Sequence, residues 1–186
     1  MSDTPSAVPQ PDAPAHESRL ARALRELLVS RRTACLATVQ ADGTPFVSMV
    51  PYAIEPSLGA LVLHVSGLAA HTGNMARQPL TACLITAAEV DGEPVHALPR
   101  ITLHTRAETL AADHPSWGPC RAAYLARFPD AEPMTALPDF RFVALHLLSA
   151  RQVAGFGAAL IGSLLYSLCG MVIDVAMERL FSRAAG

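Results

Sequence analysis

The stretch from Pro45 to Ala87 constrains the fold of this chain more than any other part of the sequence. It reads PFVSMVPYAI, a turn, ALVLHVS, a short polar segment HTGNMARQ, and TACLITA. The three apolar runs are rich in β-branched residues, whereas the polar segment has the composition of a short helix. The pattern predicts two strands, a short helix and a third strand.

Four polar residues gather where the second of these strands gives way to the short helix. A loop that leaves a strand and opens a helix presents free backbone N–H groups, and the helix dipole there favours negative charge. Hydroxyl, amide and imidazole groups add hydrogen-bond donors. The pattern indicates a candidate anion site, although the local sequence alone fits a simple helix cap by Thr72 or Ser66 better. The four residues are Ser66, His71, Thr72 and Asn74.

Further strands are predicted on both sides of this stretch. TACLATV (33–39) and PFVSMVPYAI are joined by the turn sequence ADGT (41–44), which predicts a hairpin. Pro51 cannot donate a ladder hydrogen bond, so it belongs at an edge, at a bulge or where the strand leaves its neighbour. RITLHTRAETL (100–110) alternates apolar and polar residues, and residues 140–150 supply a last strand.

Helices are predicted to flank these strands. Ser18 caps an amphipathic helix of about 13 residues that lies against the core or a partner. A second helix covers residues 120–128 and ends at Pro129. Together the elements predict a mainly β fold with flanking helices, built on a six-stranded antiparallel barrel. The apolar face of the first helix contains Leu20, Ala23, Leu24, Leu27 and Leu28.

The size and charge of the chain limit its class. Its 186 residues are enough for one domain with a substantial core. We expect a disordered, proline-rich arm over residues 1–17, the barrel domain over 18–157, and an apolar C-terminal helix or tail over 158–186. The formal net charge of −2 is spread over both signs without a basic block, which argues against nucleic-acid binding.

The cysteines predict neither a structural zinc site nor a disulfide framework. They are far apart and form no CxxC pair. Cys35 and Cys83 lie in apolar strand-like runs, where a free cysteine behaves as a small hydrophobic residue. The N-terminal residues show no secretory signal, so we predict a cytoplasmic location.

The segment from Ala154 to Ile173 carries no charged residue. Its length is close to the ~20 apolar residues that span a bilayer as a helix. A helix buried against the barrel or a dimer mate is the first interpretation. A membrane-contacting tail is the second, and an unpacked, abnormal tail is the third.

Several motifs, in order, resemble one protein family. RTACLATVQADGTPFVSMVPYAI, LHVSGLAAHTGNM, LPRITLHTRAETL and DFRFVALHLLSARQVAGFG are similar to the FMN-binding split-barrel family related to pyridoxamine 5′-phosphate oxidase. The closest similarity is to its haem-utilisation (HugZ-like) branch, and it extends from Leu20 to Ala158. The resemblance implies a six-stranded split barrel that pairs as a homodimer, with FMN in a groove at the subunit interface.

The resemblance also implies which residues hold the cofactor. One strand lies along the flavin ring, and Arg100 contacts the flavin. Ser66, His71 and Thr72 lie at the ribityl phosphate, and Asn74 is a further cofactor-binding residue. The phosphate site has fewer cations than related oxidases have, because His71, Arg77 and Arg100 are the nearby ones and Leu80 replaces a common arginine. The strand residues are Val47, Ser48, Met49, Val50 and Pro51.

From these features we predict an FMN-binding protein that acts as a flavin-dependent oxidoreductase on a small-molecule substrate. No catalytic residue and no metal ligand is assigned. A haem-binding or haem-degrading protein on the same fold is the alternative, with His64, His104 and His146 as candidate ligands. The branch places its haem ligand in a C-terminal region that this chain lacks or replaces, so no ligand is transferred. A non-catalytic cofactor-binding module is the second alternative.

Overall fold

A computed structural model describes residues 19–153 of the chain. The helices are α1 (Arg19–Ser30), α2 (Ala70–Arg77) and α3 (Trp117–Arg127). The strands are β1 (Thr33–Val39), β2 (Pro45–Pro51), β3 (Ala53–Glu55), β4 (Ala60–Ser66), β5 (Leu80–Thr86), β6 (Arg100–Leu110) and β7 (Phe140–Val153). Short 3-10 segments cover Pro56–Leu58, Val95–Ala97 and Pro129–Ala136.

Some predictions lie outside the described residues. They are the arm over residues 1–17, the cap at Ser18, and the apolar segment from Ala154 onward with its three interpretations. Among residues 19–153, no helix is long and apolar enough to cross a membrane.

The strands form one antiparallel sheet in the order β2-β1-β5-β6-β7-β4-β3. Its two edge strands, β2 and β3, are consecutive in the chain and are separated only by Tyr52. Since one residue spans at most about 3.6 Å, the two edges must approach each other and the sheet must curl. This geometry confirms the predicted antiparallel split barrel.

The sheet has seven strands rather than the predicted six, because the run PFVSMVPYAI is divided at Tyr52. Pro51 ends the pairing of β2 with β1, and the chain then pairs with β4. Tyr52 is fully buried, its N–H donates to the carbonyl of Arg32 (3.1 Å), and its hydroxyl donates to the carbonyl of Leu28 (2.7 Å). Burial raises the pKa of Tyr52 to about 12, so the hydroxyl remains a donor. The predicted departure at Pro51 is therefore confirmed.

The main core lies inside the barrel and is closed by α1 and α2. Leu24, Leu27 and Leu28 of α1 and Met75 of α2 pack into it. Among residues 21–30 of α1, the buried face differs from the prediction, because Ala23 is exposed and Ala21 is buried. The sheet contributes fully buried side chains from six strands, among them Leu36, Val50, Leu61, Leu63, Ile85, Ile101, Leu103 and Leu145.

A second cluster forms where α3 packs on the outside of β3, β4 and β7. Tyr124 and Cys120 of α3 pack there against Phe142 of β7. The helix starts at Trp117, three residues before the predicted start, and ends before Pro129 as predicted. The cluster covers only this part of the outer side of the sheet. The outward side chains of β1, β2 and β5 are not part of it.

Candidate functional site

The end of β4 and the first turns of α2 hold the residues predicted to bind an anion. The hydroxyl of Ser66 accepts a hydrogen bond from the backbone N–H of Leu68 (3.1 Å), and the hydroxyl of Thr72 donates to the carbonyl of Ser66 (2.7 Å). The N-cap of α2 is Ala69, which has no side-chain cap. The local sequence had suggested that Ser66 or Thr72 caps the helix, but neither side chain is the N-cap. Both hydroxyls already have hydrogen-bond partners.

A carboxylate occupies the space beside Ser66. The Ser66 hydroxyl donates to Oδ2 of Asp139 (2.9 Å), a residue 73 positions further along the chain. The backbone N–H of Gly67 donates to the carbonyl of the same residue (2.6 Å). A phosphate at this loop would be repelled by the carboxylate of Asp139. Asp139 could not be predicted as part of this site, because nothing in its local sequence links it to this loop.

Asn74 holds α2 against the hairpin instead of pointing into a site. Its amide Nδ2 donates to the hydroxyl of Thr38 (3.0 Å), and its Oδ1 accepts a bond from Nη2 of Arg77 (2.6 Å). Asn74 is 3 % exposed, so its polar groups would be costly without these partners. Arg77 folds back along its own helix, and its guanidinium is engaged there.

His71 contacts the strand β2. Its Nδ1 lies 3.1 Å from Oγ of Ser48, and its Nε2 is buried without a hydrogen-bond partner among the described residues. Burial holds the pKa of His71 below its ordinary value of 6.5, so the imidazole is neutral at pH 7. A neutral ring with a shielded Nε2 does not supply the cation that a phosphate site needs.

The five predicted strand residues do not share one face. Val47 and Met49 are 62 % and 66 % exposed and point outward with Pro51. Ser48 is half-buried and Val50 is buried on the inward face. Because side chains alternate along a strand, one ligand can contact the side chains of only one of these sets.

Arg100 is separated from the start of α2. It opens β6, three strands from β2 in the sheet order, and its Nη1 donates to the carbonyl of Leu98 (3.2 Å). Within the described part of one subunit, none of its hydrogen bonds reaches Ser66, His71 or Thr72. The structure thus groups Ser48, Ser66, His71, Thr72 and Asn74 near α2 and leaves Arg100 apart.

A second surface combines features that a cofactor could use. We call it the outer sheet face, and it consists of outward side chains on β2, β1, β5, β6 and β7. The strand register aligns these side chains in rows that cross the sheet. One row contains Met49, Cys35, Leu84, Thr102 and Arg151. A second row contains Val47, Ala37, Ala82, His104 and Ser149.

One half of the outer sheet face is apolar. Besides Val47 and Met49, Leu84 is 38 % exposed and Leu80 is 46 % exposed. Cys35 is also exposed here, whereas Cys83, on the other side of the sheet, is buried. An apolar surface that crosses three neighbouring strands marks an interaction site.

The other half of the outer sheet face is cationic. Arg100 and Arg106 of β6 and Arg151 of β7 lie on it with His104. Between Arg100 and Arg106, the outward positions of β5, β6 and β7 that pair with one another include no carboxylate. The alternation of RITLHTRAETL predicted this polar side of the strand, but it gave no sign of the apolar half beside it.

The site near α2 and the outer sheet face differ in the chemical groups that they could bind. At the loop that precedes α2, the carboxylate of Asp139 and the internally bonded hydroxyls do not fit a phosphate dianion. The outer sheet face fits a flat apolar molecule that carries carboxylates at one edge, as haem does, because an apolar surface there adjoins three guanidinium groups.

The chain is similar to known proteins over most of its described length. Residues 20–154 match the family described as pyridoxamine 5′-phosphate oxidase. The chain is 29 % identical over 144 residues to "Heme oxygenase HutZ" of Vibrio cholerae, a match that covers 77 % of this chain and 81 % of that protein. It is 32 % identical over 156 residues to the chloroplastic "Non-canonical heme oxygenase HOZ" of Arabidopsis thaliana, covering 80 % of this chain and 46 % of that protein.

A solved structure supports the same assignment. The heme binding protein from Mycobacterium smegmatis superposes with a TM-score of 0.65 and 31 % identity, covering 81 % of this chain and 57 % of that one. These matches confirm the similarity that the motifs predicted, including the haem-utilisation branch. Because the matched region spans most of the sequence, this chain belongs to the pyridoxamine 5′-phosphate oxidase family.

Proposed function

We propose that this protein binds haem on the outer sheet face and degrades it with O2 and an external electron donor. One observation carries the binding proposal: an exposed apolar surface on β2, β1 and β5 adjoins a cationic surface on β6 and β7. The porphyrin is a flat apolar ring with two propionates at one edge. The ring would cover Leu84 and Leu80, and the propionates would bind the nearby guanidinium groups.

The relatives support haem over FMN. Two relatives are named heme oxygenases, and a similar structure is named a heme binding protein. FMN, which the sequence analysis preferred, draws its support from the broader family alone. The carboxylate of Asp139 beside Ser66 adds a physical reason, because it opposes the phosphate of FMN.

The bound haem would supply the redox chemistry, and the protein would supply orientation and electrostatics. The residues of the apolar half would exclude water from one side of the ring. Arg106 and Arg151 would fix its orientation through the propionates, since each guanidinium presents several donors in a rigid fork. The degradation step is proposed from the names of the relatives.

We also propose that the protein is a homodimer with the cofactor in a groove between the subunits. Val47 and Met49 are exposed on the edge strand β2. They form the border of the apolar half that is farthest from the cationic half. A second copy that packs against them would remove this apolar area from water and add a second wall to the haem site.

The experiment is a titration of the full chain with haemin and, separately, with FMN, followed by absorbance. We expect a saturable Soret band with haemin and no saturable change with FMN. Arg106→Gln should weaken haem binding at least about tenfold, the effect of one lost charge-assisted hydrogen bond. Arg121→Gln on α3 is the matched control, because Arg121 lies off the outer sheet face and is expected to leave the titration unchanged.

Degradation is tested on the haem-loaded protein with ascorbate under air. The Soret band should disappear, and released iron should be trapped by a ferrous chelator. A haemin titration without a saturable change in the Soret band would end the haem proposal. Saturable FMN binding in the same preparation would restore the flavin interpretation.

A further inference from the structure

We infer that His104 is the side chain that ligates the haem iron. The inference rests on the proposed function and identifies the iron ligand within that site. Proteins hold haem iron through histidine, cysteine, methionine or tyrosine. Residues 154–186 contain no histidine.

The described histidines other than His104 are engaged elsewhere or lie off the outer sheet face. His64 is 8 % exposed and packs against Tyr124 and Phe142 beneath α3, with ring centroids 5.6 and 4.6 Å away. His71 bonds Ser48 through Nδ1, and its Nε2 is shielded from solvent. Neither ring can reach a ligand on the outer sheet face without leaving its packed position.

Three more described histidines are excluded by position or partner. Nε2 of His146 lies 2.7 Å from Oε2 of Glu108, and Nε2 of His114 lies 3.6 Å from the other oxygen of that carboxylate. His96 is exposed in the 3-10 segment that precedes β6, outside the sheet. His104 therefore remains as the described histidine that projects from the outer sheet face within its cationic half.

The neighbours of His104 leave room for a porphyrin. It is paired with Ala82 on β5 and with Ser149 on β7, so a small side chain flanks it on each side. His104 is exposed, and no hydrogen bond of its imidazole is found among the described residues. An exposed imidazole nitrogen at this position can ligate a metal.

Two arginines flank His104 on the outer sheet face. Arg106 is two residues along the same strand, about 7 Å away, and Arg151 lies diagonally across on β7. Arg106 and Arg151 thus lie on opposite sides of His104 along the strands, and the apolar side chain of Leu84 lies diagonally across on β5. Long arginine side chains can reach the propionates from both positions.

Two exposed sulfur atoms are the competitors on this face. Cys35 and Met49 face each other on β1 and β2, two and three strands away from β6. At about 4.8 Å per strand, they lie roughly 10 and 14 Å from the row of β6 side chains. Both lie farther from Arg106 and Arg151 than His104 does, and the side chains paired with Cys35, those of Met49 and Leu84, carry no charge.

The test is a haemin titration of the full chain as wild type, His104→Ala and His104→Gln, read by absorbance and electron paramagnetic resonance. We expect both variants to lose the spectrum of an imidazole-bound iron and to bind haem at least about tenfold more weakly. Free imidazole should restore the wild-type spectrum in His104→Ala. His96→Ala is the control and should match the wild type, and circular dichroism checks that every variant is folded.

The outcomes separate the two proposals. If the wild-type chain binds no haem, the proposed function fails. If the wild-type and His104→Ala proteins bind haem with identical spectra, haem binding stands and the assignment of His104 is overturned. If the haem spectrum changes in Cys35→Ser and stays unchanged in the His104 variants, the iron ligand is the Cys35 thiolate. That result would also overturn the assignment of His104.

Discussion

Ser48 and His71 join a strand to a helix: Oγ of Ser48 lies 3.1 Å from Nδ1 of His71, and the contact ties β2 to α2. It is the one hydrogen bond found for the imidazole among the described residues, because Nε2 is buried without a partner. The pair therefore fixes the strand whose outward residues form one edge of the outer sheet face.

Replacing Ser48 by alanine should lower the free energy of unfolding by about 1–2 kcal/mol, since it leaves the half-buried imidazole without a partner. Urea denaturation at pH 8 measures the change. Ser149→Ala is the matched control, because Ser149 is exposed on the same sheet, and it should change stability by less than about 0.5 kcal/mol. Equal effects of the two substitutions would show that the Ser48–His71 bond contributes nothing to stability.

His64 should make the fold less stable in acid. Burial lowers the pKa of His64 below its ordinary value of 6.5, so the unfolded chain binds the proton more tightly than the folded chain does. The free energy of unfolding is unaffected by His64 above pH 6.5. It decreases as the pH falls from 6.5 through the lowered pKa of His64. His71, whose pKa is lowered by the same cause, adds to this loss.

The substitution His64→Phe removes one of these two groups and keeps an aromatic ring beside Phe140 and Phe142. The difference in Tm between pH 8 and pH 5 should shrink by a few degrees relative to the wild type. The exposed His96 provides a control, and His96→Phe should leave that difference unchanged. An unaltered pH dependence in His64→Phe would show that its ring is not held neutral by burial.

The elements of the barrel were predictable because their signals are local. The alternation of RITLHTRAETL gave β6 and its two faces, and the proline at Pro51 marked the point where β2 ends. TACLATV was different, because small residues occupy both of its faces. Its pattern therefore did not reveal that Cys35 points outward and Leu36 inward.

The candidate site was less predictable because long-range packing determines it. The bond from Ser66 to Asp139 joins residues 73 positions apart, and neither local sequence indicates the other. The direction of His71 follows from the way Met75 anchors α2 in the core. The outer sheet face depends on the order in which the strands pair, and a linear pattern does not specify that order.

Gly67 is required by a close approach of two backbone segments. A Cβ atom at this position would lie 3.0 Å from the carbonyl oxygen of Asp139 and 3.0 Å from Nη2 of Arg141. Arg141 can move, but the carbonyl accepts the N–H of Gly67 and cannot move without weakening that bond. Gly67→Ala should therefore destabilise the fold by about 1–3 kcal/mol.

The matched control for Gly67 is Gly118 in α3, where an added Cβ atom meets nothing within 4 Å. Gly118→Ala should leave stability unchanged or raise it by up to about 1 kcal/mol, because alanine favours the helix. Thermal unfolding of both variants provides the comparison. A Gly67→Ala protein as stable as the wild type would mean that the loop between β4 and α2 can shift at no cost.

The proposed homodimer predicts that a charge on the apolar half of the outer sheet face separates the subunits. Val47→Asp and Met49→Asp should each convert the dimer into a monomer, since burying an unpaired carboxylate in an interface costs several kcal/mol. Sedimentation velocity measures the change. Both side chains are more than half exposed in the single subunit, so the substitutions should leave its fold intact.

Leu68→Asp is the control for this prediction. Leu68 is 90 % exposed, and it lies in the loop before α2 rather than on the outer sheet face. A carboxylate there should leave the dimer intact if the subunits meet through β1, β2 and β5. A dimer that survives Met49→Asp and dissociates with Leu68→Asp would move the interface to the α2 side of the barrel. The haem site would then have to be complete within one subunit.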